Sequence, residues 1–386
     1  MNPTPLIPVP AFASAAEADQ FWMRRALELA RCGEGYVEPN PLVGCVLASD
    51  RLLGEGYHAR FGGAHAERAA LLDAIMRGNS SLLLGATAYV TLEPCCHHGK
   101  TPPCTDALIQ AGVRRVVTAQ LDPFPKVSGQ GVAMLRTAGV QVDVGVEDVA
   151  ARQLNAPYLK RLEQRRPWVI AKWAMSLDGK IATHSGESQW ISSEESRAWV
   201  QQLRGRVDAI LVGSRTAMLD NPRLTARTKE TPPRTPLRVV VDSQLQLPLD
   251  SHLASTAREI AVLLVAGPHA STSKAEALQQ LGCTVCVSPQ ADRQQRLLWL
   301  LEHLVERYGV TNLLVEGGGE LLGSLLELRQ IDQCEVFIAP TIIGGAKAPN
   351  PIGGLGLERL RDAPRSALCQ VRPSGLDSHT SLRLEW

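Results

Sequence analysis

Helix-like and strand-like apolar patterns alternate along the first half of the chain. Apolar residues recur at helical spacing from Glu17 to Gly33. The next segment, PNPLVGCVLASDRLLGEGYH, predicts a β-hairpin that turns at Ser49-Asp50. A helix over HAERAALLDAIMRG, a strand over ATAYVTLE and a helix over PPCTDALIQAG follow, and then a strand over VRRVVTAQ, a helix over 131–137 and a strand over VQVDVGV. This alternation predicts a three-layer α/β domain.

The second half alternates in the same way. Its strand candidates are near-continuous apolar runs, as expected where helices cover both faces of a sheet. They are PWVIAKWAMS, VDAILVG, PLRVVVDS, IAVLLVAG, TNLLVEGG and CEVFIAP. Helices are predicted over 194–204, 273–281, 294–308 and 320–328. The sequence therefore predicts a second α/β domain.

The boundary between these domains is marked by charge and proline. The stretch 149–166 is predicted to be helical and ends in the charged segment KRLEQRRP, and Pro167 begins a new pattern. The first ten residues contain four prolines, which favours an extended arm. We predict a flexible arm over residues 1–16 and domains over 17–165 and 166–386.

Composition narrows the classes of function. The 40 Lys and Arg residues nearly balance 39 Asp and Glu, and a formal net charge of +1 argues against a nucleic-acid-binding protein. Aromatic residues are 4% of the chain, which leaves little material for stacking on single strands. The chain has no apolar run of transmembrane length, so no membrane partner is expected. Nine irregularly spaced cysteines indicate a reducing compartment, and we predict a cytoplasmic protein.

One group of motifs specifies chemistry. His65 and Glu67 form a His-x-Glu motif, and Pro94-Cys95 and Cys104 follow. This is the residue pattern of zinc deaminases. One imidazole and two thiolates leave a fourth zinc position open for water, whose pKa the metal lowers toward neutrality. Glu67 is predicted to transfer protons from the attacking water to the leaving amine.

The spacing of the two cysteines departs from the generic motif. That motif has two residues between its cysteines, whereas Cys95 and Cys104 have eight between them. Cys95 with His98 would restore the short spacing, and Cys96 and His97 lie in the same loop. We favour Cys104, because it begins a predicted helix, where partial positive charge favours a thiolate. The alternatives are loop cysteines or a structural zinc site, which has four protein ligands and needs no glutamate.

A glycine turn in the second half suggests phosphate binding. TNLLVEGGGELLGSLL predicts a strand, a turn at Gly317 to Gly319 and a helix. Glycines let the backbone approach a phosphate, and the helix N-terminus favours the anion. The dinucleotide pattern G-x-G-x-x-G is not matched cleanly, so a plain tight turn is the alternative.

Five segments in a fixed order carry a family resemblance: HAE, TLEPCCHHGKTPPC, KWAMSLDGKIATHSGESQWIS, LDNPRLT and VEGGGELLGSLL. They resemble the bifunctional deaminase–reductase family of riboflavin biosynthesis, over nearly the whole chain after the arm. The resemblance implies a cytidine-deaminase-like domain with Zn²⁺ on His65, Cys95 and Cys104, followed by a dihydrofolate-reductase-like domain that uses NADPH. Many relatives have Ser or another residue where this chain has Cys96, so that thiol is a departure from the family pattern.

The resemblance also implies two consecutive reactions. The first is hydrolytic deamination of 2,5-diamino-6-(5-phosphoribosylamino)pyrimidin-4(3H)-one by zinc hydroxide. The second is NADPH-dependent reduction of the ribosylamino group to ribitylamino. The expected partner is thus a small phosphorylated pyrimidine rather than a nucleic acid or a membrane. The sequence leaves open whether the chain forms a homo-oligomer.

The reductase contacts also come from the resemblance. The cofactor contacts are Ala174, Trp190, Thr216, Asp220, Ser243, Gly318, Gly319, Glu320, Leu321, Leu322, Gly323 and Ser324. The substrate contacts are Ser188, Arg204, Leu224, Arg227 and Glu316. Both arginines suit a phosphate, since a guanidinium binds oxyanions at two points, although each also fits a solvated surface charge. Trp190 also fits a core position, Asp178-Gly179 fits a simple turn, and Lys172 is left out of the set.

Two other functions fit part of the sequence. An RNA-editing deaminase would use the same kind of zinc pocket, but would have a basic groove and lack a nicotinamide domain. A zinc-stabilised binding protein without catalytic activity would tolerate the loss of Glu67. Balanced charge and the second α/β half favour the bifunctional enzyme.

Overall fold

Two β-sheets, one in each half of the chain, organise the structure. The computed structural model describes residues 10–97, 102–124 and 127–386. It divides into two units, Met1–Gln164 and Arg165–Trp386. Within the described residues, no helix is long and apolar enough to cross a membrane.

The first unit contains a five-stranded sheet of order β2-β1-β3-β4-β5. The strands are β1 Gly44–Ala48, β2 Leu52–Tyr57, β3 Thr87–Val90, β4 Arg115–Thr118 and β5 Gln141–Val144. The helices are α1 Ala15–Arg31, α2 Ala66–Met76, α3 Cys104–Gln110, α4 Gln130–Thr137, α5 Asp148–Leu154 and α6 Ala156–Gln164. β1 is antiparallel to β2 and β3, whereas β3, β4 and β5 are parallel. One apolar core packs α2, α3 and α4 on the sheet and another packs α1 and α5, so the predicted three-layer architecture is confirmed.

The helical stretch predicted over 149–166 is two helices, separated at Asn155. The Asn155 amide is buried, and it accepts from the Leu42 N–H at 2.8 Å and donates to the Leu42 carbonyl at 2.9 Å. Pro157 lies in the first turn of α6. Proline is tolerated there but would interrupt a continuous helix, because it lacks a backbone N–H.

The second unit contains a nine-stranded sheet of order β10-β9-β8-β7-β11-β6-β12-β14-β13. The strands are β6 Trp168–Ser176, β7 Ala209–Gly213, β8 Leu237–Val241, β9 Val262–Ala266, β10 Thr284–Val287, β11 Asn312–Glu316, β12 Gln333–Ala339, β13 Arg365–Ser374 and β14 Asp377–Glu385. The helices are α7 Glu194–Arg204, α8 Ser214–Asp220, α9 His252–Ser255, α10 Thr272–Gln280, α11 Arg293–Tyr308 and α12 Gly319–Glu327. Its pairings are parallel, except that β14 is antiparallel to β12 and β13.

Both faces of this sheet are buried, as the apolar strand runs predict. Along β7, Ala209 and Leu211 pack into one core with α11 and α12, while Ile210 and Val212 pack into the other core with α9 and α10. The final hairpin, β13 and β14, was not predicted. β13 is the exposed edge strand, so its sequence lacks the continuous apolar run that marks the central strands.

Candidate functional site

Three side chains from separate elements converge in the first unit. His65 immediately precedes α2, Cys95 lies beyond β3, and Cys104 is the first residue of α3. The Nδ1 atom of His65 lies 3.5 Å from Sγ of Cys95 and 3.3 Å from Sγ of Cys104. The three donor atoms all lie within 4.8 Å of one another. Among the described residues, no other group of three or more His, Cys, Asp or Glu side chains is close enough together to hold a metal ion.

The donor set fits zinc in chemistry and in spacing. Zinc with Zn–N of about 2.0 Å and Zn–S of about 2.3 Å in a tetrahedral arrangement separates its N and S ligands by roughly 3.5 Å. A hydrogen bond from the Cys104 thiol lowers the pKa of Cys95, and His65 contributes in the same direction against the effect of burial. The shared proton correspondingly raises the pKa of Cys104. A divalent cation displaces such protons when it binds thiolates.

Glu67 is placed beside this group but outside it. It lies in the first turn of α2 and is 3% exposed. Burial raises the pKa of its carboxyl, and the nearby Cys95 thiolate adds to the rise. A carboxyl with a raised pKa can both accept and return a proton near neutral pH.

A histidine next to the metal ligands and the asparagine that hydrogen-bonds to it were not predicted from the sequence. His58 follows β2, and its ring centroid lies 5.6 Å from that of His65. Its Nδ1 donates to the Ala64 carbonyl at 2.9 Å, so the Nε2 atom of a neutral ring accepts from Asn40 at 3.2 Å. Burial lowers the pKa of His58, which favours that neutral ring. The available signals were a Pro-Asn-Pro turn and a histidine directly after a strand, and neither is specific to a site.

The alternative ligands in the cysteine loop have different positions. Cys96 is not a member of the metal-binding group, and burial raises the pKa of its thiol. His98 lies outside the described residues, as do residues 1–9 of the predicted arm.

The residue before Pro94-Cys95 supports the cysteine loop through hydrogen bonds to the start of α4. The buried carboxylate of Glu93 accepts from the N–H groups of Gly129 at 2.9 Å and Val132 at 3.1 Å, at the start of α4.

In the second unit, predicted substrate contacts meet at the carboxyl end of β11. The Arg204 guanidinium donates to the Glu316 carboxylate from Nε at 2.7 Å and from Nη2 at 2.5 Å. Its Nη1 atom also donates to the Thr225 carbonyl at 3.4 Å, next to the buried Leu224. Arg227 is close enough that the charge of Arg204 helps burial to lower its pKa. The carboxyl ends of parallel strands are where ligands bind in sheets of this kind.

The glycine turn at residues 317–319 lies against Thr216, another predicted cofactor contact, at the same edge of the sheet. Gly317 and Gly318 have φ of +65° and +77°, a conformation that favours glycine. A Cβ atom at Gly317 would lie 3.2 Å from Cγ2 of Thr216, and one at Gly318 would lie 3.2 Å from its Oγ1. Helix α12 begins at Gly319, and its N-cap, Gly318, supplies no capping side chain. Its first N–H groups suit an anion, which is the physical basis on which this turn fits a dinucleotide phosphate.

The remaining predicted cofactor contacts lie on β6, after β8, at the end of α8 and in the segment before α7. Ala174 is on β6, and Ser243 follows β8 and accepts through its carbonyl from the Gly267 N–H at 2.9 Å. Asp220 ends α8, and burial raises the pKa of its carboxyl. Trp190 is 70% exposed and its ring lies 4.7 Å from the Arg197 guanidinium, which contradicts a core position. Ser188 lies in the same segment and is partly buried, and residues 320–324 form the first turns of α12.

Lys172, left out of the predicted set, belongs beside these residues. It is the register partner of Glu316 on β11 and of Glu335 on β12. Its Nζ atom lies 5.8 Å from the centre of the Phe337 ring. Burial lowers the pKa of this amine, against an opposing effect of Glu316. A single lysine in an apolar strand gives no sequence signal that separates this position from a surface lysine.

Together, the folds and sites define a two-domain zinc deaminase and reductase. The family model for the cytidine and deoxycytidylate deaminase zinc-binding region matches residues 16–120, and that for the RibD C-terminal domain matches residues 167–374. The chain is 42% identical to riboflavin biosynthesis protein RibD of Actinobacillus pleuropneumoniae, over 96% of each protein. It is 39% identical to that of Escherichia coli K12, over 93% of this chain and 97% of the relative.

Solved structures of related proteins have the same fold over nearly the whole chain. Acinetobacter baumannii RibD, form 1, has a TM-score of 0.82 at 34% identity, and the match covers 96% of this chain and all of that one. The diaminohydroxyphosphoribosylaminopyrimidine deaminase/5-amino-6-(5-phosphoribosylamino)uracil reductase of Thermotoga maritima gives the same TM-score, identity and coverage. The chain belongs to the RibD family of bifunctional deaminase–reductases. The predicted family, fold class, two enzyme activities and use of zinc and NADPH are confirmed.

Proposed function

We propose that residues 17–165 deaminate 2,5-diamino-6-(5-phosphoribosylamino)pyrimidin-4(3H)-one and that residues 166–386 reduce the ribosylamino group of the product to ribitylamino. The convergence of His65, Cys95 and Cys104 beside the buried Glu67 is the observation that carries the first step. The names of the similar enzymes support the choice of substrate. These comparisons do not favour an RNA-editing deaminase.

In the deaminase, His65, Cys95 and Cys104 would hold zinc, which supplies activation of water when bound. Glu67 takes one proton from the attacking water and delivers it to the ring nitrogen, and then transfers the remaining proton of that oxygen to the amine, which leaves as ammonia. Burial keeps this carboxyl basic enough for both roles. His58 packs on His65 and holds the Asn40 side chain through its Nε2 atom, so that the rest of the Asn40 amide can orient the pyrimidine ring.

In the reductase, the glycine turn and the predicted contacts around it would hold NADPH, which supplies a hydride when bound. Gly318 and the first N–H groups of α12 lie beside Thr216 and would bind the pyrophosphate there. Ala174, Trp190, Asp220 and Ser243 complete the cofactor contacts. The acceptor of that hydride would be C1′ of the opened, imine-like ribose.

The substrate side of this site is charged. Arg204 fixes the ionised Glu316 carboxylate, which contacts the substrate together with Ser188 and Leu224. Because two nitrogens of Arg204 are engaged by Glu316, the exposed Arg227 is the better receptor for the substrate phosphate. The partly buried Lys172 lies beside Glu316, and its amine can supply a proton to the ribose nitrogen or oxygen.

The proposal also includes the cellular location and the oligomeric state of the protein. The protein acts on a small phosphorylated molecule in the cytoplasm and forms a homo-oligomer. The exposed edge strand β13 supports assembly, because Val371 is 65% exposed and an unpaired edge can pair with a second copy. Light scattering after size-exclusion chromatography tests this point.

The enzymatic proposal is tested by conversion of the diamino substrate by the purified protein. Glu67→Gln should block deamination, and Glu316→Gln should block reduction.

A further inference from the structure

Asp178 connects two loops at the carboxyl edge of the second sheet. It follows β6, and its carboxylate accepts from the backbone N–H of Ile343 at 3.0 Å and of Gly344 at 2.7 Å, in the loop after β12. It also accepts from the Ser176 hydroxyl at 2.6 Å. The Ser176 bond and the two backbone bonds lower the pKa of Asp178 to about 2, so its charge is constant at physiological pH.

Neighbours of Asp178 extend the connection along the same loop. The Leu177 N–H donates to the Thr341 carbonyl at 2.8 Å, ahead of the Asp178 contacts. The Lys180 Nζ atom donates to Oδ1 of Asn350 at 2.9 Å, beyond them. The turn after β6 therefore holds the first half of the loop between β12 and β13 at three places, residues 341, 343–344 and 350.

The next residues of this loop, 350–354, pack on the glycine turn and the start of α12. The Gly353 N–H donates to the Gly319 carbonyl at 2.8 Å. A Cβ at Gly319 would lie 2.8 Å from the Asn350 carbonyl oxygen, and a Cβ at Gly323 would lie 2.3 Å from the Gly353 carbonyl oxygen. Both glycines are thus explained by the close approach of the segment 350–354 to the start of α12.

We propose that Asp178 is a positioning residue for NADPH binding. By fixing residues 343–344, it holds the segment 350–354 against the first turns of α12 and so fixes the backbone that receives the dinucleotide phosphate. Hydrogen bonds from backbone N–H to a charged acceptor are stronger than those to a neutral one, which suits this connection. The inference rests on the proposed cofactor site at residues 318–324.

The test compares Asp178→Ala and Asp178→Asn with the matched control Asp250→Ala, which removes an exposed aspartate from a turn of the same unit. Two quantities are measured on the full-length zinc-loaded protein: the rate of trypsin cleavage after Lys347, which lies in the connected loop, and NADPH affinity by fluorescence titration. We expect Asp178→Ala to speed cleavage and to weaken NADPH binding about tenfold. The KM for NADPH should rise more than kcat falls, and deamination should be unchanged.

Asp178→Asn gives an independent measure, because it preserves the shape and one acceptor oxygen and so should have intermediate cleavage and affinity. Unchanged cleavage in both variants would overturn the proposal. Faster cleavage with NADPH affinity equal to that of Asp250→Ala would also overturn it, because the loop would then have no effect on the cofactor. Wild-type protein is titrated in parallel, and failure of the wild type to bind NADPH would contradict the cofactor site itself rather than the role of Asp178.

Discussion

Arg204 and Glu316, which lie 112 residues apart, form a two-point ion pair with distances of 2.7 and 2.5 Å. Their side chains are only 13% and 11% exposed. Burial acts to raise the pKa of Glu316, but the charge and hydrogen bonds of Arg204 outweigh it, and the net pKa is lowered. Glu316 is therefore presented to the site as a fixed carboxylate, and its partner is engaged before any substrate arrives.

Replacing Glu316 with Gln should destabilise the second unit in a pH-dependent way. Loss of one partner from a buried pair costs about 3–5 kcal/mol. Since the folded pKa is lowered, the stabilisation from ionised Glu316 is complete above the unfolded value of about 4.3 and is lost as the pH falls through the folded value. Urea unfolding followed by tryptophan fluorescence is suitable, because six of the seven tryptophans lie in the second unit. The difference between wild type and variant should shrink below about pH 4, and a constant difference would contradict this account.

Metal content should depend on Cys104 and not on Cys96. Cys104→Ser should lose zinc, because a neutral hydroxyl replaces a thiolate ligand. Cys96→Ser is the matched control and should retain one zinc per chain, since Cys96 lies outside the donor group. Elemental analysis of the purified variants measures this. Full zinc retention in Cys104→Ser together with loss in Cys96→Ser would move the third ligand to Cys96.

Glu67→Gln should retain zinc and lose deamination by about 10²–10⁴-fold, the usual contribution of general acid–base catalysis. The amide fills the same buried space but cannot accept and return the proton. Ammonia release measures the first step, and NADPH oxidation with substrate deaminated beforehand measures the second. A variant that released ammonia at the wild-type rate would contradict the role of Glu67, while its reductase rate should be normal.

Gly318→Ala should weaken NADPH binding, and Gly309→Ala is its matched control. Both glycines have positive φ, so each variant should lose roughly 1 kcal/mol of stability from backbone strain. A Cβ at Gly309 meets no heavy atom within 4 Å, whereas one at Gly318 lies 3.2 Å from Thr216 Oγ1 at the proposed phosphate position. Fluorescence titration should show weaker NADPH binding only in Gly318→Ala. Equal affinity in the two variants would return Gly318 to the role of a simple turn.

The sequence was most informative where chemistry restricts residue types. His65, Cys95 and Cys104 were predicted as ligands because few functions require that set, and the structure brings the three together. Contacts between residues far apart in the sequence could not be predicted in the same way. Arg204 and Glu316 were both predicted as substrate contacts, but the sequence gave no sign that they bind each other.

Residues that act through the backbone were also hidden. Asp178 was interpreted as part of a simple turn. Its partners are the backbone N–H groups of Ile343 and Gly344, and such a contact has no signal in the types of the residues involved. Gly319 was predicted to face a phosphate, whereas its missing Cβ makes room for the Asn350 carbonyl. Such contacts depend on the path of the chain, which apolar periodicity does not specify.

The central claim is that one chain carries out deamination and then reduction, at two separate sites. Mass analysis of the product formed from the diamino substrate, with and without NADPH, tests it most directly. Without NADPH, the product should have exchanged one amine for oxygen and retained the ribosyl group. With NADPH, it should also have gained the two hydrogens of reduction to the ribityl chain, one as hydride and one as a proton. Reduction without prior loss of the amine, or an unchanged substrate in both samples, would contradict the account.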